Sequence, residues 1–332
     1  MRLLLGVLAG APFRAVLTGD DSLRSRPMER VAAPLREMGA GVCTADGHAP
    51  VEIAGGSLHG IRHAPSVPSA QVKGAVLLAG IAASGETTVV ESASTRDHTE
   101  RALVHLGAPV RIERERITVS AFQHEGFEAS VPGDVSSAAF LVGAAALTGA
   151  GLVVRGVGLN PSRTHYLDVM RRMGIGIELR LTTEELGEPV GDLVVGPCTG
   201  LTGTTVEERE LPLVIDEVPV LAALAAHAIG ETRFARAGEL RVKESDRLSG
   251  IAEAVRSLGG QAGLDGDDLI VAGGGLAGGS VDSRGDHRMA MAAAVAALAA
   301  SGDCVIEGME AADVSFPGFI GTLRALGAGL EG

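Results

Sequence analysis

Apolar residues along this chain form two kinds of segment that alternate from one end to the other. In the first kind they recur on one helical face. The segment then closes with Leu-Gly or Met-Gly, which is typical of an amphipathic helix with glycine just after its C-cap. Five segments share this form, and their closing glycines are Gly39, Gly107, Gly174, Gly259 and Gly327. Most of them lead into a short run of β-branched residues, which predicts a strand.

The second kind of segment is apolar on nearly every helical face, which predicts a helix buried on all sides. Such helices are predicted at Leu3–Ala9, Val72–Ala83, Ala138–Leu147, Val218–Ile229 and Met289–Ala300. The closing glycines lie 68, 67, 85 and 68 residues apart, and a step of this length marks a repeated supersecondary unit. Each unit is therefore predicted to contain one buried helix, one surface helix and several strands. The extra residues of the longest step are expected at around 181–210.

Composition places the chain among globular α/β proteins of ordinary size. It has 332 residues, of which 46% are hydrophobic, enough for a packed core and for two domains, predicted at 1–129 and 130–332. The core is expected to consist of Ala, Val, Leu and Ile, because aromatic residues make up only 2% of the chain.

Charge and cysteine content exclude several classes of partner. The formal net charge of −13 argues against nucleic acid, which is bound by clustered Lys and Arg, but not against small anions, which respond to the local field of a cleft. Cys43, Cys198 and Cys304 lack zinc-ligand spacing, so no metal is predicted. The few cysteines, the unconvincing signal sequence and the lack of an uncharged apolar run of about 18 residues predict a cytoplasmic protein without a membrane partner.

Basic residues lie at the predicted helix starts, where they are electrostatically unfavourable. A helix start offers unpaired backbone N–H groups and a partial positive charge, so a cation there opposes the helix dipole. A bound anion would compensate, and arginine matches phosphate or carboxylate with two parallel hydrogen bonds. Five cations occupy equivalent places in the repeat: Arg26, Arg96, Lys243, Arg247 and Arg288. They predict an enzyme that acts on small, highly anionic substrates.

Polar residues at the same starts have a structural interpretation as well. Ser136, Ser137 and Ser162 are predicted to be helix N-caps. Asp216 lies in an apolar segment where an unpaired carboxylate is costly, so it is either the N-cap of the following helix or a working carboxylate. His287 fits a structural and a functional role equally well.

Seven motifs together resemble the EPSP synthase (3-phosphoshikimate 1-carboxyvinyltransferase) family, over the whole chain. They are Met1–Leu4, Arg24–Met28, Ser69–Lys73, Thr95–Glu100, Gly133–Ser137, Arg241–Arg247 and Gly285–Met289. The resemblance implies a two-domain inside-out α/β barrel built from βαβαββ units. It also implies that about 90 residues of the family pattern precede Met1, so the first domain would be incomplete, although the repeat also allows a shorter first unit.

The family reaction transfers the enolpyruvyl group of phosphoenolpyruvate to the 5-hydroxyl of shikimate 3-phosphate, without metal or organic cofactor. The resemblance assigns shikimate 3-phosphate binding to Ser69, Gln71, Arg96, Asp216 and Lys243, and phosphoenolpyruvate binding to Arg26, Gln71, Arg247 and Arg288. Asp216, Lys243 and Glu244 are the implied catalytic residues, with Glu244 the candidate proton donor. Their coupled titration leaves open which group moves which proton.

Two other functions are compatible with parts of the sequence. Cys198, between Pro197 and Thr199, superficially fits the loop cysteine of UDP-N-acetylglucosamine 1-carboxyvinyltransferase, although the Lys243–Arg247 motif favours the shikimate enzyme. A non-catalytic, anion-binding α/β repeat fragment is the second alternative. The chain is predicted to be a monomer and, if truncated, to be inactive with an exposed apolar patch formed by Leu3, Leu4, Leu5, Val7 and Leu8.

Overall fold

A computed structural model describes residues 1–330, which form two compact units. The first unit contains Met1–Ser130 together with Glu184–Glu188. The second contains Val131–Thr183 and the chain from Pro189 onward. Each unit has its own core, which is mainly aliphatic, and the core of the second unit also contains Phe140, Phe234 and Phe319. The pattern of apolar residues did not predict that Glu184–Glu188 would group with the first unit.

The first unit contains two copies of the repeat. The first copy comprises α1 (Arg2–Ala9), β1 (Arg14–Leu17), α2 (Asp21–Arg24), α3 (Glu29–Glu37), β2 (Gly41–Ala45) and β3 (His48–Ala54). The second copy comprises β4 (Leu58–His59), β5 (Arg62–His63), α4 (Ala70–Gly80), β6 (Ala83–Ser84), β7 (Thr87–Val90), α5 (His98–His105), β8 (Val110–Glu113) and β9 (Arg116–Val119).

The second unit contains the remaining copies. One comprises α6 (Val135–Thr148), β10 (Leu152–Gly158), α7 (His165–Arg172), β11 (Ile177–Glu185) and β12 (Glu188–Val195), with the turn end of the last hairpin in the first unit. The next comprises β13 (Thr205–Val206), α8 (Leu211–Val214), α9 (Val218–Ala226), β14 (Glu231–Phe234), a 3-10 helix (Ala237–Val242), α10 (Arg247–Ser257), β15 (Gln261–Asp265) and β16 (Asp268–Ala272). The last comprises β17 (Gly279–Asp282), α11 (His287–Ala297), β18 (Cys304–Glu307), a 3-10 helix (Met309–Val314) and α12 (Phe319–Ala325).

Strand pairing repeats in the same way from copy to copy. Two sheets have four strands, in the orders β5-β7-β9-β8 and β13-β14-β16-β15. In each, the first two strands are parallel and flank the buried helix, whereas the other pairs are antiparallel. The sheets β1-β3-β2 and β10-β12-β11 show the same antiparallel part. The pairing agrees with the α/β repeat that the sequence predicted and with the βαβαββ unit that the resemblance implied, so the predicted fold class is confirmed.

Glycine ends the surface helices as predicted. Each of the five closing glycines has a left-handed backbone, with φ between 81° at Gly259 and 107° at Gly39. This conformation is strained for residues with a Cβ, and it turns the chain from helix to strand. The range expected to hold the extra residues of the longest step includes most of the hairpin β11–β12, with strands of nine and eight residues, and α8 begins just after that range.

Four of the five predicted buried helices are buried over most of their length. Every residue of α9 is buried, and the cores of α4, α6 and α11 are similar. The predicted ends of α4, α9 and α11 were three residues too late, because apolar residues continue past the last helical turn. None of the helices described over residues 1–330 is both long and apolar enough to cross a membrane.

Helix α1 departs from the prediction of burial on all sides. Leu4 and Val7 are 49% and 53% exposed, whereas Leu5 is fully buried and so was wrongly expected in an exposed patch. The buried side of α1 packs very closely on α4, since a Cβ added at Gly6 would lie 2.7 Å from Ala75 Cα. One face of α1 is therefore a true helix–helix interface, and the opposite face carries the exposed apolar residues.

Candidate active site

The N-termini of four helices meet in the second unit. Ser136, in the first turn of α6, donates a hydrogen bond to the carboxylate of Glu217, the N-cap residue of α9. Arg288 of α11 donates from NH1 to the backbone oxygen of Asp216 at 2.9 Å. Arg247, the first residue of α10, donates to Asp286, which caps α11. The partial positive charges of the four helix N-termini therefore add at one place, as expected for an anion site.

Lys243 and Asp216 face each other at this meeting point. Lys243 Nζ lies 3.7 Å from Asp216 Oδ1 and 3.7 Å from Glu239 Oε1. Both distances are too long for a hydrogen bond, and within residues 1–330 the ammonium makes no other ion pair. Lys243 is half-buried, so its three N–H donors are held near Asp216 and are available to a bound oxygen atom.

Arg288 also keeps donors for a ligand. Its NH1 bonds to Asp216 and lies 3.8 Å from Glu217 Oε1. Among residues 1–330, no protein group accepts from its Nε or NH2, and neither atom is buried without a partner. One edge of the guanidinium is therefore anchored, while the other can bind a carboxylate or phosphate.

Arg247 is a predicted phosphoenolpyruvate ligand whose guanidinium is bound by two acidic side chains of the protein. Its side chain is 1% exposed, with Nε and NH2 at 2.8 Å and 3.1 Å from the Asp286 carboxylate. Its NH2 also lies 2.8 Å from Glu244, the candidate proton donor. Burial raises the pKa of Asp286, but hydrogen bonds and charge from Arg247 outweigh it and hold that pKa below its ordinary value. A direct role of Arg247 in ligand binding stays a prediction.

Helix capping is carried out by residues other than the predicted serines. Asp134 caps α6 by accepting from Ser137 N at 2.8 Å, so the predictions for Ser136 and Ser137 were wrong. The Ser162 hydroxyl donates to Asn160 Oδ1 at 2.7 Å, and α7 has Thr164 at its N-cap. The Ser137 hydroxyl also donates to Asp134, at 3.0 Å, whereas the Ser136 hydroxyl bonds to Glu217.

Asp216 is not an N-cap, because Glu217 occupies that position of α9. The remaining interpretation of Asp216, as a working carboxylate, agrees with its place beside Lys243. His287 opens α11, and burial, followed by the charge of Arg288, lowers its pKa. The neutral imidazole is therefore favoured near this group of cations.

Glu217 is a site residue that the sequence analysis passed over in favour of its neighbour Asp216. It is 3% exposed, and burial raises its pKa despite Arg288 and the Ser136 hydroxyl. Ser136 Oγ in turn accepts from Arg163 NH2 at 2.6 Å. Arg163, Ser136, Glu217 and Arg288 thus form a continuous polar network. The sequence does contain a signal for Glu217, because Asp216 and Glu217 form an adjacent pair of acids directly before the wholly apolar helix α9.

The first unit holds the other predicted ligands at its own helix starts. Ser69 caps α4 by accepting from Val72 N at 3.4 Å, and Gln71 is exposed in the first turn. Arg96 directly precedes Asp97, the N-cap of α5, and Arg26 lies two residues before Met28, the N-cap of α3. Both arginines interact with other protein groups.

Arg2 adds a cation that the sequence analysis did not assign. It opens α1 and donates from NH2 to the backbone oxygen of Pro27 at 3.1 Å. Burial lowers the pKa of Arg2, and repulsion from Arg30 and Arg26 adds to the effect. Three arginines are therefore held close together at the start of α1. Among residues 1–330, no cluster of His, Cys, Asp and Glu has the arrangement of a metal site.

Cys198 lies in the loop after β12 as a free thiol whose Sγ contacts the backbone oxygen of Gly200 at 3.5 Å. Its contacts are local and involve none of the cations described above.

Comparison with known proteins identifies the family. The family profile of EPSP synthase (3-phosphoshikimate 1-carboxyvinyltransferase) matches residues 1–323. The chain is 48% identical over 331 residues to a 3-phosphoshikimate 1-carboxyvinyltransferase of Desulforudis audaxviator, and the match covers 98% of this chain and 77% of that relative. It is 50% identical over 336 residues to the Halorhodospira halophila protein of the same name, covering 100% of this chain and 76% of that one.

A solved structure shows the same fold. The EPSP synthase of Acinetobacter baumannii superposes with a TM-score of 0.90 at 41% sequence identity, and the match covers 99% of this chain and 77% of that one. The chain thus spans about three quarters of the length of these relatives. On these grounds the chain belongs to the EPSP synthase (3-phosphoshikimate 1-carboxyvinyltransferase) family.

Proposed function

We propose that this chain transfers the enolpyruvyl group of phosphoenolpyruvate to the 5-hydroxyl of shikimate 3-phosphate, yielding EPSP and inorganic phosphate in the shikimate pathway of aromatic amino acid biosynthesis. The observation that carries the proposal is the meeting of four helix N-termini around Asp216, Lys243 and Arg288. Family membership supplies the identity of the two substrates.

Phosphoenolpyruvate is assigned to Arg26, Gln71, Arg247 and Arg288. Arg288 is the strongest member, because one edge of its guanidinium is anchored on Asp216 and the other retains donors. A phosphate or carboxylate there would accept two charge-assisted hydrogen bonds. As the phosphate leaves, it gains charge, and prearranged cations stabilise that charge without further reorganisation.

Shikimate 3-phosphate is assigned to Ser69, Gln71, Arg96, Asp216 and Lys243. Ser69 and Gln71 lie at the start of α4, where backbone N–H groups favour a phosphate. Arg96, before the start of α5, supplies a planar cation for the same group. Asp216 and Lys243 are assigned to the reacting 5-hydroxyl.

The chemistry requires three proton movements, together with the formation of one C–O bond and the cleavage of another. The 5-hydroxyl oxygen bonds to C2 of phosphoenolpyruvate and loses its proton, while the methylene carbon gains one. The tetrahedral intermediate then expels phosphate, and loss of a methyl proton restores the double bond. Asp216 is assigned to the hydroxyl, with Lys243 beside it at 3.7 Å and Glu244 as candidate donor to carbon. These groups titrate together, so the reaction is assigned to the set rather than to single residues.

The two compact units are proposed to be the enolpyruvyl-transferase domains, with the incompleteness of the first a prediction from the resemblance. Small-molecule anions are the proposed partners. The monomeric state and the cytoplasmic location also stay predictions, which sedimentation and cell fractionation would test.

The decisive experiment is a phosphate-release assay of the full chain with both substrates. Phosphate release that depends on shikimate 3-phosphate would support the proposal, and Lys243→Ala should abolish that release. No release, with binding of neither substrate, would agree instead with the prediction that a truncated chain is inactive. Release with UDP-N-acetylglucosamine in place of shikimate 3-phosphate would favour the sister enzyme instead. Calorimetric binding of both substrates without any release would favour the non-catalytic alternative.

A further inference from the structure

The first unit contains a buried group of charges that the proposed reaction does not use. Lys73 is 1% exposed, and its Nζ lies 3.1 Å from Glu91 Oε2 and 2.6 Å from Glu100 Oε1. Both carboxylates are buried. Thr95 donates a hydrogen bond from its hydroxyl to Glu91. Lys73, Glu91, Thr95 and Glu100 are called the Lys73 cluster below.

The Lys73 cluster joins the two motifs that carry the proposed shikimate 3-phosphate ligands. Lys73 lies on α4 directly after the turn that begins with Ser69 and Gln71. Glu91 follows β7, and Glu100 is in the first turn of α5. Arg96 lies between these two acids in sequence, so Lys73 holds both ends of the segment that carries it.

A second contact fixes the distance between α4 and this segment. A Cβ added at Gly74 would lie 2.7 Å from the Thr99 hydroxyl oxygen. Only glycine permits so close an approach, because any larger side chain would push Thr99 away. Charge and packing therefore both locate the segment on α4.

Stability alone gives little reason for burying these charges. Each buried ion loses its hydration, and well-packed apolar replacements of buried ion clusters are often neutral or stabilising. Two acids face one lysine here, and Glu100 Oε2 is buried without a hydrogen-bond partner among residues 1–330. Burial accordingly raises the pKa of Glu100, against the effect of Lys73. Charge-assisted hydrogen bonds, however, define direction and distance better than apolar contacts do.

We propose that the Lys73 cluster is a positioning device, which fixes Arg96 relative to Ser69 and Gln71 so that all three reach the phosphate of shikimate 3-phosphate. The cluster acts through Arg96 and does not touch the substrate. The assignment rests on the proposed function, since it concerns the same substrate site. Ligand groups held by such supporting contacts retain their geometry, and loosely supported ones do not.

The test is a double-mutant cycle on the full chain, with the dissociation constant for shikimate 3-phosphate measured by calorimetry. Lys73→Met and Arg96→Ala should each weaken binding at least about tenfold. If Lys73 acts through Arg96, the double variant should bind about as weakly as Arg96→Ala alone. Arg111→Met is the matched control, because it removes a cation from the exposed ion pair with Glu86, and its dissociation constant should stay within about twofold.

Lys73→Met leaves two buried acids without their cation, so a second variant guards against unfolding. The triple variant Lys73→Met, Glu91→Gln, Glu100→Gln removes all three charges and should melt cooperatively while still binding at least about tenfold more weakly. If the effects of Lys73→Met and Arg96→Ala on the dissociation constant multiply in the double variant, the positioning assignment is wrong. The same holds if the triple variant is unfolded at 25 °C. Neither result would contradict the proposed function. If the unaltered chain fails to bind shikimate 3-phosphate, the proposed function falls and the assignment falls with it.

Discussion

Arg247 and Asp286 form a doubly hydrogen-bonded ion pair in which each side chain is 1% exposed. Arg247 is the first residue of α10, and Asp286 is the N-cap of α11. The pair therefore ties together the starts of α10 and α11, the helices that follow Lys243 and carry Arg288. It also neutralises within the protein a cation that the helix dipole would otherwise oppose.

Asp286→Ala is expected to destabilise the second unit by about 3–5 kcal/mol, because it leaves the Arg247 guanidinium buried without its main partner. Guanidinium-chloride unfolding followed by circular dichroism measures this change. Glu253→Gln is the matched control, since it removes an acid from the exposed ion pair with Arg284 and should cost no more than about 1 kcal/mol. Equal losses in the two variants would contradict a special role for the buried pair.

Glu217→Gln is expected to change how stability depends on pH. Burial raises the pKa of Glu217 above its ordinary value of 4.5, so the folded state holds this proton more firmly than the unfolded state does. The unaltered protein should therefore lose stability as pH rises from about 4.5 through the folded pKa, and the variant lacks that loss. Unfolding midpoints measured between about pH 4 and 8 should show that, as pH rises, the variant becomes more stable relative to the unaltered protein. A difference that is constant over this range would contradict the raised pKa.

Lys243→Ala and Arg288→Ala are expected to leave the fold intact and to abolish turnover. Neither residue is held as Arg247 is, because among residues 1–330 the ion pairs of Lys243 are no shorter than 3.7 Å and Arg288 is anchored along one edge. Loss of one charge-assisted contact should weaken binding by about 1.5–3 kcal/mol, with a larger effect on catalysis. Thermal melts and the phosphate-release assay measure the two effects, and Arg284→Ala, at an exposed ion pair, is the control. Variants found unfolded at room temperature would place these residues in the structural framework.

Gly6→Ala and Gly321→Ala are expected to have opposite effects, although both replace glycine within a helix. A Cβ at Gly6 meets the backbone of Ala75 on α4, and α1 would have to move away at a cost of about 1–3 kcal/mol. A Cβ at Gly321 of α12 meets no atom of residues 1–330 within 4 Å, so alanine should stabilise that helix by up to about 1 kcal/mol. Denaturant unfolding of both variants checks the sign. A neutral Gly6→Ala would show that α1 and α4 are not held in close contact.

Much of the fold could be predicted because its signals are local. A helix that presents apolar residues on every face, such as Val218–Ala226, has few places to lie except in a core. Glycine after a helix adopts the left-handed backbone that other residues avoid, so Gly39 and its four equivalents marked both the helix ends and the repeat. The basic residues at the helix starts could likewise be predicted to bind anions, because an uncompensated cation there opposes the helix dipole.

The pairing of those side chains was decided only by tertiary structure. Nothing local distinguishes Arg247, buried against Asp286, from Arg288, which keeps one edge for a ligand, since both lie in the first turn of a helix. Glu217 and Ser136 meet across 81 residues, and Asp134 rather than a serine caps α6. A hydrogen bond or an ion pair depends on distances of a few tenths of an ångström, set by how whole helices pack, whereas periodicity and backbone preference act within a few residues.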